Sequence, residues 1–371
     1  MQNPFSAKCF AKTACAMALL CAPMSLLADP FTQVDLVSNV MGMAPTYDPN
    51  LKNPWGVAFG ATSPFWVSNQ GSGTATLYNG AGAIVPLVVT IPAGTPPVTG
   101  PTGQVFNSSS GFPVNGKPSS FIFDTLNGTL DAWNSTTGTA AVQTVATPGA
   151  VYTGLAQASI GNSTYLYAAD STGQIRVFDS NWTNVTGTTF AGKFVDPNSA
   201  KGFVPFNVQS VGSQLFVTYA SLTAFGTGLP GGYIDVFDDN GNFVRRFATN
   251  GSLYAPWGIV TAPAGFGSYG GDLLVGNFGN GEILVFDPTT GAYLGTIDGT
   301  NGQPLVNDFL WSLETRTGGT AIDPNAVYFT AGIDNQQDGL FGEITAVPEP
   351  WTLLETASGL VALAMMRLRR R

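Results

Sequence analysis

The chain of 371 residues carries 14 Lys and Arg against 23 Asp and Glu, a net charge of −9, with only 10% charged residues and no histidine. An acidic chain of this kind repels nucleic acid and anionic lipid, so a nucleic-acid partner is excluded. The lack of histidine removes the Ser-His-Asp triad, the Cys-His dyad and every His-ligated zinc or haem centre. Acid–base chemistry is left to a perturbed carboxylate, Tyr or Lys.

The chain opens on Lys8 and Lys12, an apolar run from Ala14 to Leu27, and "SLLA" before Asp29. This order predicts a signal peptide over 1–28, cleaved after Ala28. Cys9, Cys15 and Cys21 all lie inside it, so the exported body would hold no thiol or disulfide and would rest on packing and sheet hydrogen bonds. Cys21 follows "ALL" rather than the small residue of a lipoprotein signal, which argues against lipidation. Removing this segment and the C-terminal tail takes Lys+Arg from 14 to 8 and Asp+Glu from 23 to 21, roughly −13 for the body.

"FTQVDLVSN" (31–39) alternates in hydrophobicity and predicts a lone strand ahead of a repeating body. Six units of about fifty residues follow: Asn53 to Pro92, Pro101 to Gly149, Val151 to Gly192, Gly202 to Gly251, Leu253 to Pro304 and Asn307 to Ala346. "GDLLVGNFGNGEILVFDPTTGAYLGTI" (271–297) shows the plan, with apolar strands separated by Gly and Asn turns that supply positive φ. Strands apolar on both faces suit sheets packed between sheets. Four-stranded units at this period predict an all-β, six-bladed β-propeller over 29–346. The strand at 31–39 is expected to close the ring against "LFGEITAV" near the end.

"NPWGVAF" (53–59) returns as "APWGIVT" (255–261), and both are expected to start the innermost strand of a blade. Pro presets the backbone there and Gly allows close approach. "GKPSSFIF", "YTGLAQAS" and "VPFNVQSV" are read as degenerate starts of units two to four, and "LWSL" starts the sixth.

Chemistry is sparse along this frame. Asp170, Asp179, Asp235 and Asp287 recur at blade turns and read as structural caps. Trp55, Trp257 and Trp311 recur at blade starts and read first as core; as the alternative they are, together with Asn207, the candidate ligand-binding residues, of a type suited to carbohydrate. Asp334, Gln336, Asp338 and Gly339 imitate the opening half of a calcium loop, but Thr345 stands where such a loop needs Glu. No metal or cofactor is expected, with calcium at Asp334 and Asp338 as the alternative.

Beyond the body, about sixteen mostly apolar residues from Trp351 to Met366 follow "VPEP" and precede Arg367, Arg369, Arg370 and Arg371. This predicts a short, marginal membrane helix held at its end by positive charge, with Pro348 and Pro350 keeping the preceding chain extended. Glu355 weakens the span and suits a transient anchor.

Two resemblances add to this reading. "LYAADSTGQIRVFD" and "LLVGNFGNGEILVFDPTTG" resemble NHL-type six-bladed propellers, and the order "NPWG", "APWGI", "GDLLVGNFGNGEI", "YFTAGIDNQQDGLFG" resembles an uncharacterised family of secreted bacterial propellers. The likeness spans about 31–346 and implies fold and export, not a reaction. Val347, Pro348, Glu349 and Pro350, with the apolar run and the arginines, resemble a PEP-CTERM sorting signal over 347–371. That resemblance implies exosortase and the secretion machinery as partners in a Gram-negative host that makes extracellular polysaccharide. It also implies a transient inner-membrane anchor and a final place in the envelope or outside the cell.

Two function classes remain. One is a non-catalytic propeller binding extracellular polysaccharide or an envelope protein. The other is a metal-dependent, lactonase-like hydrolase, for which the inner strands offer little beyond Asn207 and Glu314.

Overall fold

Short strands apolar on both faces, broken by turns that need positive φ, assemble into six antiparallel sheets arranged as the blades of a propeller. The computed structural model describes residues 29–92, 99–221, 231–249 and 251–347. The expected signal peptide at 1–28 lies outside the described residues, as do Pro348, Glu349, Pro350 and the terminal arginines. Among the described residues no helix is long and apolar enough to cross a membrane.

The first blade runs outward through Pro54–Ala58, Phe65–Asn69, Thr74–Tyr78 and Ile84–Thr90. The fourth, with Phe203–Val211, Gln214–Ser221, Tyr233–Asp238 and Phe243–Thr249, follows the same order, as does the fifth, starting at Pro256–Thr261. The six innermost strands stand side by side around a central channel, the sixth returning to the first.

Closure follows the expected route. Phe31–Ser38 pairs antiparallel with Leu340–Ala346, from Phe31 opposite Ala346 to Ser38 opposite Leu340, so the first strand of the chain completes the last blade. The sheet edge that an open ring would expose is thereby paired.

Two blades depart from the sequence reading. In the second, the innermost strand is Pro101–Phe106, not "GKPSSFIF"; Phe121–Thr125 lies next outward. The more apolar strand is the second one, and a small hairpin, Pro113–Val114 with Lys117–Pro118, is inserted between the two and displaces the expected start. The third blade has three strands instead of four. Outside Gln174–Asp179 only a bridge between Phe178 and Asn184 forms, and Phe190 and Phe194 fold back onto Tyr167.

Packing is organised by seams. Each pair of neighbouring blades shares one apolar cluster, such as Trp66, Leu77 and Val89 with Phe121 and Phe123 between the first and second. Leu36, Val57 and Phe65 meet Tyr328 and Phe341 across the closing seam. A sheet in this position has no solvent-facing side near its centre, which is why its strands carry apolar residues in both phases. The turn aspartates act as caps: Asp287 Oδ1 accepts from the backbone N–H of Thr289 (2.9 Å) and Thr290 (2.7 Å), and Asp179 Oδ1 from Asn181 and Thr183 (both 2.9 Å).

Candidate functional site

The six innermost strands align on one position, occupied by Gly56, Gly103, Gly154, Asn207, Gly258 and Ser312. At this level the strands crowd together. A Cβ on Gly56 would stand 2.6 Å from the Thr102 carbonyl oxygen, and one on Gly258 2.5 Å from that of Trp311. Glycine after Pro-Trp is therefore a requirement of strand spacing at the channel, as its sequence context predicts.

One residue earlier on the first, fourth, fifth and sixth of these strands lies the floor. Trp55 stacks on Trp311 with centroids 3.5 Å apart, and Trp257 meets both edge-on at 6.3 and 5.7 Å. Phe206 and Phe278 complete the plug. Trp257 Nε1 donates to the Thr153 carbonyl (2.9 Å) and Trp311 Nε1 to Asn53 Oδ1 (3.1 Å), while Trp311 has no exposed surface. Burial of three indoles with stacked and edge contacts closes this end of the channel.

Asn207 belongs to the same layer. Its Nδ2 donates to the Trp257 carbonyl (2.8 Å) and its Oδ1 accepts from the Val208 N–H (2.8 Å), which ties the fourth blade to the fifth. It edges the cavity above with these groups already engaged. Asp334 and Asp338 sit elsewhere, around a left-handed turn in which Asp334, Asn335 and Gln336 have φ of 51°, 52° and 66°. Asp338 Oδ1 accepts from Asn39 Nδ2 at 2.6 Å. Among the described residues no three or more His, Cys, Asp or Glu side chains are grouped to hold a metal.

Above the floor the channel opens into a cavity of about 330 Å³ to which all six innermost strands contribute. Its polar lining comes from Gln104, Gln157, Gln209, Ser210, Ser312 and Glu314, and Phe59 and Phe106 stand at its rim. Phe106 is 37% exposed, and its ring lies against Gly60, where a Cβ would clash with it. Gln104 Nε2 donates to the carbonyls of Gly56 (2.8 Å) and Trp66, leaving Oε1 buried and without a partner among the described residues. Gln209 and Ser210, also on the lining, make no side-chain hydrogen bond among the described residues. Gln157 is engaged as well, its Nε2 donating to Asn107 Oδ1 (3.0 Å) and its Oε1 accepting from the Ser108 N–H (3.3 Å), so the cavity presents the Gln209 amide and the Ser210 hydroxyl without protein partners among the described residues.

Among the described residues Glu314 is the single titratable group on this lining. Burial pushes its carboxyl up to about 8, against a smaller opposing effect of the Ser312 hydroxyl. Arg316, two residues on, turns away. Its guanidinium lies 4.4 and 4.9 Å from the rings of Phe59 and Phe65 and donates to the Ser63 carbonyl (3.0 Å) and that of Gly60 (3.3 Å). It pins the first blade's loop to the sixth.

Sequence reasoning read the tryptophans as core first and as a candidate platform second; they are buried in the floor, and it passed over Phe59, Phe106, Gln104, Gln157 and Gln209. A signal was present: each stands one to three residues after the shared Gly, Asn or Ser position, at the channel end of its strand. Finding it required the true start of the second blade.

No protein-family model matches the chain. An uncharacterised protein of Acanthamoeba polyphaga mimivirus is 35% identical over 327 residues, covering 83% of this chain and 78% of its own. A second uncharacterised protein of the same virus is 31% identical over 324 residues, covering 83% and 84%. Among solved structures, an auxiliary nutrient binding protein from Bacteroides ovatus is similar in fold, with a TM-score of 0.54 at 11% identity over 86% of this chain and 78% of that one.

Proposed function

We propose that this chain, which belongs to the family of the two mimivirus proteins and folds as a six-bladed propeller, is a non-catalytic binding propeller that takes carbohydrate at the open end of its channel. The observation that carries the reading is the cavity above the tryptophan floor, with two Phe rings at its rim and the unengaged Gln209 amide and Ser210 hydroxyl on its lining. Sugar recognition needs this combination of a ring to stack on and many neutral donors and acceptors. Its volume stands near the lower end of the roughly 300–1,000 Å³ common for small-molecule sites and suits one or two sugar units at a chain end. A single carboxyl on the lining is a poor start for a metal-dependent lactonase, which supports binding over hydrolysis.

The natural source of such a ligand is extracellular polysaccharide, reached by export. The residues of 1–28 and 347–371 support export through a signal peptide and a PEP-CTERM tail processed by exosortase, with passage through the inner membrane. Mass spectrometry of the mature C-terminus, in a Gram-negative host with and without exosortase, tests that half. A tail ending in Arg371 in both hosts would refute it.

For the binding half, purified protein is titrated with oligosaccharides from exported polysaccharides. Phe106→Ala and Gln209→Ala are expected to weaken binding by tenfold or more, the scale of one lost stacking or hydrogen-bonding anchor. Absence of binding to every exported polysaccharide tried would overturn the reading.

A further inference from the structure

The cavity holds one feature that a site for neutral sugar does not require. Glu314 brings a carboxyl into a pocket whose other lining residues, contributed by all six innermost strands, are uncharged. Its partner within the protein is the Ser312 hydroxyl. The three ion pairs among the described residues, Arg176–Asp170, Arg246–Asp196 and Arg246–Asp235, all lie elsewhere. The nearest basic residue along the chain, Arg316, is committed to the Ser63 and Gly60 carbonyls and to two Phe rings. A glutamine at 314 would keep the size and hydrogen bonding that a neutral sugar uses.

We infer that the ligand of this cavity bears a protonated amine, received by the Glu314 carboxylate beneath the Phe59 and Phe106 rings. Resting on the carbohydrate reading above, this narrows the ligand class to amino sugars with a free amine. The chemistry is that of an ammonium group meeting a carboxylate in a partly dry pocket, where the attraction exceeds its value in water. It also accounts for an acid kept without a counter-charge: the ligand supplies it. In the empty site burial favours the neutral carboxyl at pH 7, and a bound ammonium reverses that preference. Binding of a cation is therefore coupled to loss of the Glu314 proton to solvent. Among the described residues no other titratable group lines the cavity from any blade.

The test is calorimetric titration of the whole protein with glucosamine, glucose, N-acetylglucosamine and cyclohexylamine, on the wild type and Glu314→Gln. Glucosamine is expected to bind about tenfold tighter than the other two sugars, the scale of one charge-assisted hydrogen bond, and Glu314→Gln to erase that preference. At pH 7 cyclohexylamine, which stays protonated like a lysine amine, should release up to one proton on binding to the wild type. That release is read from buffers of different ionisation enthalpy and should vanish in Glu314→Gln. Equal affinity for all three sugars, unchanged by the substitution and with no proton release, overturns the amine inference and leaves the carbohydrate reading standing. Glu314-dependent binding of cyclohexylamine without binding of any sugar does the reverse. No binding of any of the four overturns both.

Discussion

The two ends of the channel are built from the same six strands only a few residues apart, yet they do opposite things. At the floor, Trp55, Phe206, Trp257 and Trp311 fill the space between strands until Trp311 has no exposed surface. At the mouth, the next residues along are amides, hydroxyls, an acid and an exposed Phe. The difference teaches how a propeller separates stability from binding. Apolar bulk at one level holds the inner strands together, so the level above can leave polar groups unsaturated without loosening the ring.

This contrast can be broken from the outside inward. Deleting residues 29–38 removes the strand that closes the last blade, and the largest effect is expected there: loss of the cooperative unfolding transition by circular dichroism, at floor and mouth together. Trp311→Ala is next, costing about 3–5 kcal/mol in denaturant unfolding because the ring is fully enclosed. Gly56→Ala should cost about 1–3 kcal/mol by the same measurement, since a Cβ there meets the Thr102 carbonyl.

The pH dependence of stability sharpens the comparison further. Burial pushes Glu314 at the mouth up to about 8, and Asp124 and Asp131, enclosed in the second blade, up to about 7. All three lie above their ordinary values, so the native state binds more protons than the unfolded chain between about pH 4 and pH 8. Stability from these groups is full below that window and falls as pH rises through it. In midpoint-against-pH curves Glu314→Gln should flatten the fall from about pH 4.5 to 8 and Asp124→Asn that from about pH 4 to 7, so only the former removes slope above pH 7. The smallest effect on stability is expected at the rim: Phe106→Ala should cost less than about 1 kcal/mol, as befits a partly exposed residue, while weakening ligand binding. A loss as large as that of Trp311→Ala would erase the distinction between the two ends.

Much of the frame was legible beforehand because it is local. The run 271–297 wrote its strands and turns in apolar phase and glycine position, and the matched Pro-Trp-Gly pair marked two innermost strands. The alternating segment at 31–39 found its place because an unpaired edge strand at each end of a ring has one natural partner. The second blade was misread because Pro101–Phe106 is more polar than Phe121–Thr125, so apolar phase alone favours the wrong strand. The third blade's missing strand was illegible because Asn184 to Phe194 follows no period; it is held by contacts with the fourth blade.

By itself, then, the sequence determined the all-β class, six repeats, the closing strand and the absence of histidine chemistry, since each depends on residue type and spacing along the chain. Only the tertiary structure decided that Gln104, Gln157, Gln209 and Glu314 converge above the buried tryptophans. Those residues are separated by up to 210 positions and share a cavity only because six strands stand around one axis. Convergence across a ring follows from closure, and closure is a property of the whole.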